Sequence, residues 1–315
     1  MLVRSGARVI GIDVAMSLHR EHSMGFAKIL CPTDFSAGAE YARRHAIRLA
    51  TSADAELVIA HTWSLPPALV PPEVLVGSDV MNHVVDRAKD ALADVVRATR
   101  DAGVIRVQAD LRQGTPWAEI VEALTAGAFD LCVIGTHGRT GLARVLLGSV
   151  AEKVVRHAPC SVLVVRPGSE PRPFAHVLVP TDFSESSEHA LEVATTLVAP
   201  DGGITFLHVV DVPLMTVEEL SLTDLGRKLV SAAHDKLERT AARVRATRAI
   251  PVSTRVRVGP AGAETLAALD ERGDLDLVVT GSHGRTGFQR ALLGSVAEKV
   301  VRHAHCPVLV ARKGR

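Results

Sequence analysis

Cysteine is scarce. There are four in 315 residues and no Cys-x-x-Cys pair, which excludes a disulfide framework and a zinc-ribbon spacing. Cys31 and Cys132 fall inside apolar, strand-like runs, so buried, reduced thiols are expected. Net charge is lacking too. The formal value of +1 removes the electrostatic reason to expect nucleic acid or an anionic membrane as the main partner, although a local basic patch stays open. The 29 Arg against 7 Lys read as genome composition bias. No run approaches the ~18 apolar residues that span a bilayer. The first 23 residues do not read as a secretory signal, because their apolar part is short, Asp13 interrupts it, and no small-residue cleavage site follows. A cytoplasmic protein is the default expectation. Met24 directly precedes the first strand-like run, which marks residues 1–24 as an N-terminal extension or a start-site error.

What is present is apolar and repetitive. A hydrophobic fraction of 47% with 23% charged residues is that of a folded chain, and the length favours two domains. The segment Gly135–Arg166 (GTHGRTGLARVLLGSVAEKVVRHAPCSVLVVR) returns as Gly281–Arg312 (GSHGRTGFQRALLGSVAEKVVRHAHCPVLVAR), identical at 25 of 32 positions. ILCPTDFS at Ile29–Ser36 returns as VLVPTDFS at Val177–Ser184. Each half thus begins and ends on the same elements, the mark of a duplicated domain. The expected division is 25–168 and 174–315, with the Pro/Gly/Ser stretch Pro167–Pro173 as the passage between them.

Periodicity predicts nine elements in the first half: strands at Lys28–Cys31, Leu57–His61, Ile105–Leu111, Leu131–Ile134 and Ser161–Val165, and helices at Ala37–Ala50, Ser78–Ala102, Pro116–Ala126 and Ser149–His157. The second half repeats them, with strands near Val177, Thr205, Ser253, Leu277 and Val308 and a long helix over Val217–Ala246. Alternation of strand and helix predicts an α/β fold: two tandem, doubly wound, Rossmann-like domains, each with a five-stranded parallel sheet flanked by helices. Ligands of such sheets sit beyond the carboxyl ends of the strands, at a topological switch point.

The informative loop follows the fourth strand. Gly135-x-x-Gly138 opens it, nine residues follow, and Gly148-Ser149 begins a helix; Gly281-x-x-Gly284 and Gly294-Ser295 repeat the pattern. Glycines expose backbone N–H groups, and a helix start adds free donors and about half a positive charge. That favours a phosphate, with Arg139 and Arg285 available to neutralise it. A plainer alternative stands beside this one. Ser149 with Glu152, and Ser295 with Glu298, match a capping box, and a glycine after a strand often marks only a tight turn. The loop is neither a Gly-Lys-Ser/Thr phosphate loop nor the dinucleotide pattern expected after a first strand.

With Asp34 in PTDFS, the Gly135–Ser149 loop, the closing APCSVLVVR strand and their counterparts Asp182, Gly281–Ser295 and AHCPVLVAR, the chain resembles the universal stress protein family from about Phe26 to Arg312. The G-x2-G-x9-G-[ST] spacing is similar to that of the family's ATP-binding branch, with a fold of the adenine nucleotide alpha hydrolase type. The resemblance implies two ATP sites, with Mg2+ as the accompanying ion. Asp34 and Asp182 would contact adenosine from the turns Pro32-Thr33-Asp34 and Pro180-Thr181-Asp182. The backbone at Thr62 and Val209 would read the adenine edge; Thr62 replaces a more usual Val, a mild departure. Ribose and phosphates would fall to Gly135, Thr136, His137, Gly138, Arg139, Gly148, Ser149 and Val150, and to Gly281, Ser282, His283, Gly284, Arg285, Gly294, Ser295 and Val296. Asp34 and Asp182 alternatively serve only the helix dipole.

The resemblance also implies antiparallel pairing of the last strands in an internal pseudo-dimer, and leaves a homodimer of chains open. His157-x-x-Cys160, His303-x-x-Cys306 and His305 suggest metal ligands, but that pairing sets the two corners at opposite ends, and no metal site is expected. His137 and His283 either meet phosphate or merely pack. No catalytic residue is assigned. The leading expectation is an ATP-binding stress-response switch or regulator. A slow ATPase or ATP-using enzyme and a nucleotide-independent interaction module are its rivals.

Overall fold

The computed structural model describes residues 25–64, 78–136, 147–211, 223–284 and 293–314, with side chains from 81 onward in the second stretch. The 1–24 extension lies outside them. The first half runs β1 (Lys28–Pro32), α1 (Ala37–Ala53), β2 (Glu56–Trp63), α2 (Ser78–Asp101), β3 (Val107–Gln113), α3 (Pro116–Ala126), β4 (Leu131–Gly135), α4 (Ser149–His157) and β5 (Ser161–Val165). The second runs β6 (Phe174–Pro180), α5 (Glu185–Leu197), β7 (Val198–Val210), α6 (Asp224–Thr247), β8 (Val252–Val258), α7 (Ala261–Glu271), β9 (Leu277–Gly281), α8 (Ser295–His303) and β10 (Val308–Ala311).

The strands form one ten-stranded sheet in the order β3-β2-β1-β4-β5-β10-β9-β6-β7-β8. Each half is a parallel five-stranded sheet, and the halves meet in one antiparallel pair, β5 with β10, where Leu163 faces Leu309. β1 pairs with both β2 and β4, and β6 with both β7 and β9. These are the two switch points. The strands are apolar runs because both faces are covered. Ile29 and Cys31 join the core under α1, α2, α5 and α6, and Leu30 between them joins the core under α3, α4, α7 and α8. Both cores run through the junction of the halves.

Local rules explain the helix starts. Ser36 caps α1 by accepting from Ala39 N at 3.2 Å, and Ala39, Ala42, Ala46 and Ala50 form its buried stripe. Thr223 caps α6 by accepting from Gly226 N at 3.0 Å. At the amino rim of the sheet, Asp130 Oδ2 accepts from Ala27 N and Lys28 N at 2.8 and 2.9 Å, and Asp276 Oδ2 accepts from Ala175 N and His176 N at 2.9 and 3.0 Å. These carboxylates tie each first strand to its fourth.

Two arginines cross the junction. Arg312, just past β10, donates to Val155 O at 2.7 Å, to Arg156 O at 3.0 Å and to Ala158 O, at the C-terminus of α4. Arg166, just past β5, donates to Val301 O at 3.0 Å and Arg302 O at 2.7 Å, at the C-terminus of α8. A guanidinium at a helix C-terminus satisfies orphan carbonyls and opposes the negative dipole end. Burial lowers the pKa of both arginines from the usual value. Between the helices, Arg302 lies 3.5 Å from Glu152 and Arg156 4.0 Å from Glu298.

Three boundaries differ from the sequence expectation. The third strand begins at Val107 rather than Ile105, which is 85% exposed. β7 begins at Val198, well before Thr205. The described part of the long second-half helix starts at Asp224, and residues 217–222 lie outside the described residues. Cys31, Cys132, Cys160 and Cys306 are free and buried, and burial raises all four pKa values, those of Cys31, Cys160 and Cys306 to about 12. No helix among the described residues is long and apolar enough to cross a membrane.

Candidate functional site

At the carboxyl ends of β1 and β6 the chain makes the same turn twice. Phe35 and Phe183 take φ of 63° and 62°, a left-handed backbone that aromatic residues rarely adopt. Several contacts over-determine it. Thr33 Oγ1 accepts from Phe35 N at 3.0 Å and Asp34 Oδ1 from Ser36 N at 3.1 Å; Thr181 and Asp182 repeat both bonds at 3.0 Å. The Phe35 ring sits 4.3 Å from that of His61, and Phe183 lies 4.5 Å from His208. His61 Nδ1 and His208 Nδ1 each donate to the threonine carbonyl at 2.7 Å. A carbonyl only accepts, so each Nδ1 carries the proton. Strain held this tightly at a strand end is typical of a functional turn.

The fourth strand supplies the opposite wall. Gly148 N donates to Thr136 O at 2.7 Å and Gly294 N to Ser282 O at 2.8 Å, closing the neck of each glycine loop. Gly148 and Gly294 are the N-caps of α4 and α8, with φ −62° and −63° and no side-chain cap. The capping-box alternative is therefore corrected: Ser149 and Ser295 are the first helical residues. The next amides of each helix have no intrahelical acceptor.

The glycines differ in what they do. A Cβ on Gly135 would lie 2.5 Å from the Gly38 carbonyl oxygen of α1, and one on Gly281 2.6 Å from Ser186 Oγ. These two let the helix pack on the strand. A Cβ on Gly284 would come within 2.9 Å of Asp182 Oδ2, which brings the loop and the acidic turn together. On Gly294 the nearest atom among the described residues would be Ser282 O at 3.5 Å. Neither its φ nor a described neighbour requires a glycine there.

Between the walls lies one cavity per half, of about 370 Å³ in the first and 290 Å³ in the second. Pro32, Thr33, Asp34, Thr62, Gly135, Thr136, Gly148, Ser149 and Val150 line the first. Pro180, Thr181, Asp182, Val209, Gly281, His283, Gly284, Gly294, Ser295 and Val296 line the second. Every described candidate is on a wall except Ser282, which is buried with its Oγ 2.8 Å from His283 Nδ1. His137, Gly138, Arg139 and Arg285 lie outside the described residues.

Sequence reasoning missed one wall. The starts of α3 and α7 contribute Pro116 and Ile120 to the first cavity and Ala261 and Thr265 to the second, where Asp211 joins them. The signal in the sequence was a glycine just before each of these helices, Gly114 and Gly259, at φ 151° and 138°. At the His-x-x-Cys corners the described contacts are with other partners. The His157 ring lies 5.7 Å from that of Trp117, and His305 lies 3.5 Å from Asp270.

The family model for universal stress proteins matches residues 25–166 and again 173–312. A universal stress protein of Mycobacterium tuberculosis is 35% identical over 235 residues, covering 72% of this chain and 78% of that protein. Another from the same organism is 31% identical over 303 residues, covering 90% and 96%. The structure of a universal stress protein from Archaeoglobus fulgidus superposes with a TM-score of 0.67 at 22% identity, covering 93% of this chain and all of that one (100%). It has the same fold.

Proposed function

The chain belongs to the universal stress protein family, and on that premise we propose that it is an ATP-binding stress-response regulator with one nucleotide site in each half. The observation that carries the reading is Gly294. It caps a helix whose first amides lack intrahelical acceptors, on the wall of a cavity, and among the described residues a Cβ there would make only ordinary contacts. A phosphate against that helix start gives the glycine a reason. Gly148-Ser149 and Gly294-Ser295 hold the phosphates, Asp34 and Asp182 face adenosine, and the backbone of Thr62 and Val209 meets the base. Among the described residues no group of three or more His, Cys, Asp or Glu could hold a metal ion. Mg2+, when bound with the triphosphate, would be held largely by phosphate oxygens and water and would offset phosphate charge. The halves work as an internal pseudo-dimer through β5 and β10, in the cytoplasm, where buried thiols stay reduced.

The first test is the nucleotide content of freshly purified protein, denatured and separated by chromatography. Adenine nucleotide bound at one or both sites is expected, and an empty protein is then titrated with ATP. Gly294→Val should weaken ATP binding in the second half by about 100-fold with the melting temperature nearly unchanged. Undiminished binding there overturns the placement of the phosphates.

A further inference from the structure

We propose that Asp211 adds to the second site a side-chain reader of the adenine amino group, which the first site lacks. The inference rests on the nucleotide reading above. Leu207, Val209 and Asp211 alternate along and just past β7, and all three line the second cavity. A period of two puts them on one face. In the first half Ala60 and Thr62 line the cavity, but Ser64, next in the alternation, does not.

The cause lies in the facing helix. Asp211 Oδ2 accepts from Ala261 N, the first amide of α7, at 3.1 Å, which holds the carboxylate at the cavity wall. In the first half Pro116 opens the matching helix, and proline has no N–H to anchor an acid there. The pairs Asp211/Ala261 and Ser64/Pro116 thus differ together between the halves.

An ionised carboxylate only accepts, at about four lone-pair sites, and a single amide leaves the others for a ligand. Adenine presents an amino donor at position 6, and guanine and hypoxanthine present a carbonyl oxygen. The same charge repels a triphosphate, so base and phosphates settle at opposite ends of the cavity, toward Asp211 and toward α8. Asp211 is exposed, which limits the discrimination to about tenfold.

The test compares ATP with inosine triphosphate, whose base carries oxygen in place of the amino group. With the first half blocked by Gly148→Val, calorimetry should show a preference for ATP about tenfold above that of the first half, and adding Asp211→Ser should bring the ratio down to the first half's value. Asp211→Asn, whose amide oxygen still suits the Ala261 N–H, replaces Ser if the latter lowers the melting temperature, and should likewise erase most of the added preference. With the second half blocked by Gly294→Val, the first should show only the smaller preference that the backbone at Thr62 gives. A preference left undiminished by both Asp211 variants overturns this inference and leaves the nucleotide reading standing. Absence of ATP binding by the chain carrying Gly148→Val, with the wild type also empty, overturns that reading itself.

Discussion

The two halves agree where a helix is held at both ends and diverge where it is held at one. α4 and α8 are the same nine residues, SVAEKVVRH. The N-terminus of each forms a cavity wall, and its C-terminal carbonyls are held by an arginine of the opposite half. A change in either helix is felt at a site and at the junction together. α3 and α7 occupy matching places, yet one starts at Pro116 and the other at Ala261. The start of each lines the cavity of its own half. The shared helices bear on what both sites hold in common, and the divergent ones on how the sites differ.

Breaking the likeness at its first glycine should have the largest effect. Gly135→Ala drives a methyl into the Gly38 backbone, which cannot give way as a side-chain tip would. Overpacking of this kind should cost about 3 kcal/mol. Gly294→Ala finds only ordinary contacts and should cost less than about 1 kcal/mol. Urea denaturation of the two variants checks the contrast; equal costs would show that the glycines of the motif do one job.

That contrast also marks what could be read in advance. Spacing found all three glycines but could not tell one that admits a helix from one that admits a ligand, because Gly38 lies far away in the chain. The helices at Pro116–Ala126 and Ser149–His157 were legible to the residue: proline opens one, and glycine with an apolar stripe opens the other. The third strand was mispositioned because alternation alone carried it back through Ile105 into a turn that follows Gly103, at φ 101°. The wall from α3 and α7 went unseen because a lone glycine before each helix, Gly114 and Gly259, marks a turn and not a ligand. Asp211 acquires meaning only beside the Ala261 amide, fifty residues on.

The crossing arginines sharpen the comparison at the junction. Arg312 reaches three carbonyls of α4, and Arg166 reaches two of α8. Arg312→Met should cost about 2 kcal/mol, because it leaves helix-end acceptors without their charged donor, and Arg166→Met somewhat less. Denaturant midpoints decide; a reversed order would mean that carbonyl contacts do not set the strength of the junction.

The smallest effect distinguishes α1 from α5. His45 on α1 is 1% exposed, and its counterpart on α5, three residues after Ala190 as His45 is three after Ala42, is Val193. His45 Nε2 lies 3.2 Å from Ser169 O, an acceptor only, so Nε2 carries the proton. Nδ1 is buried without a hydrogen-bond partner, and a second proton would have no acceptor. Burial first, with Arg48 and Arg44 adding to it against the Ser169 carbonyl and Glu170, brings the pKa down from 6.5 to about 4. A histidine whose folded pKa is depressed gives stability that is present above its unfolded pKa and is lost as pH falls toward the folded one. Between pH 6.5 and pH 5 the loss from this group should be roughly 1.5 kcal/mol. His45→Val, which copies the second half, forfeits the Ser169 contact at every pH, so the readout is the slope and not the absolute stability. Denaturation at the two pH values should show the wild type losing more than the variant by that amount. Parallel losses would mean that the imidazole takes up its proton in the folded chain as readily as in the unfolded one.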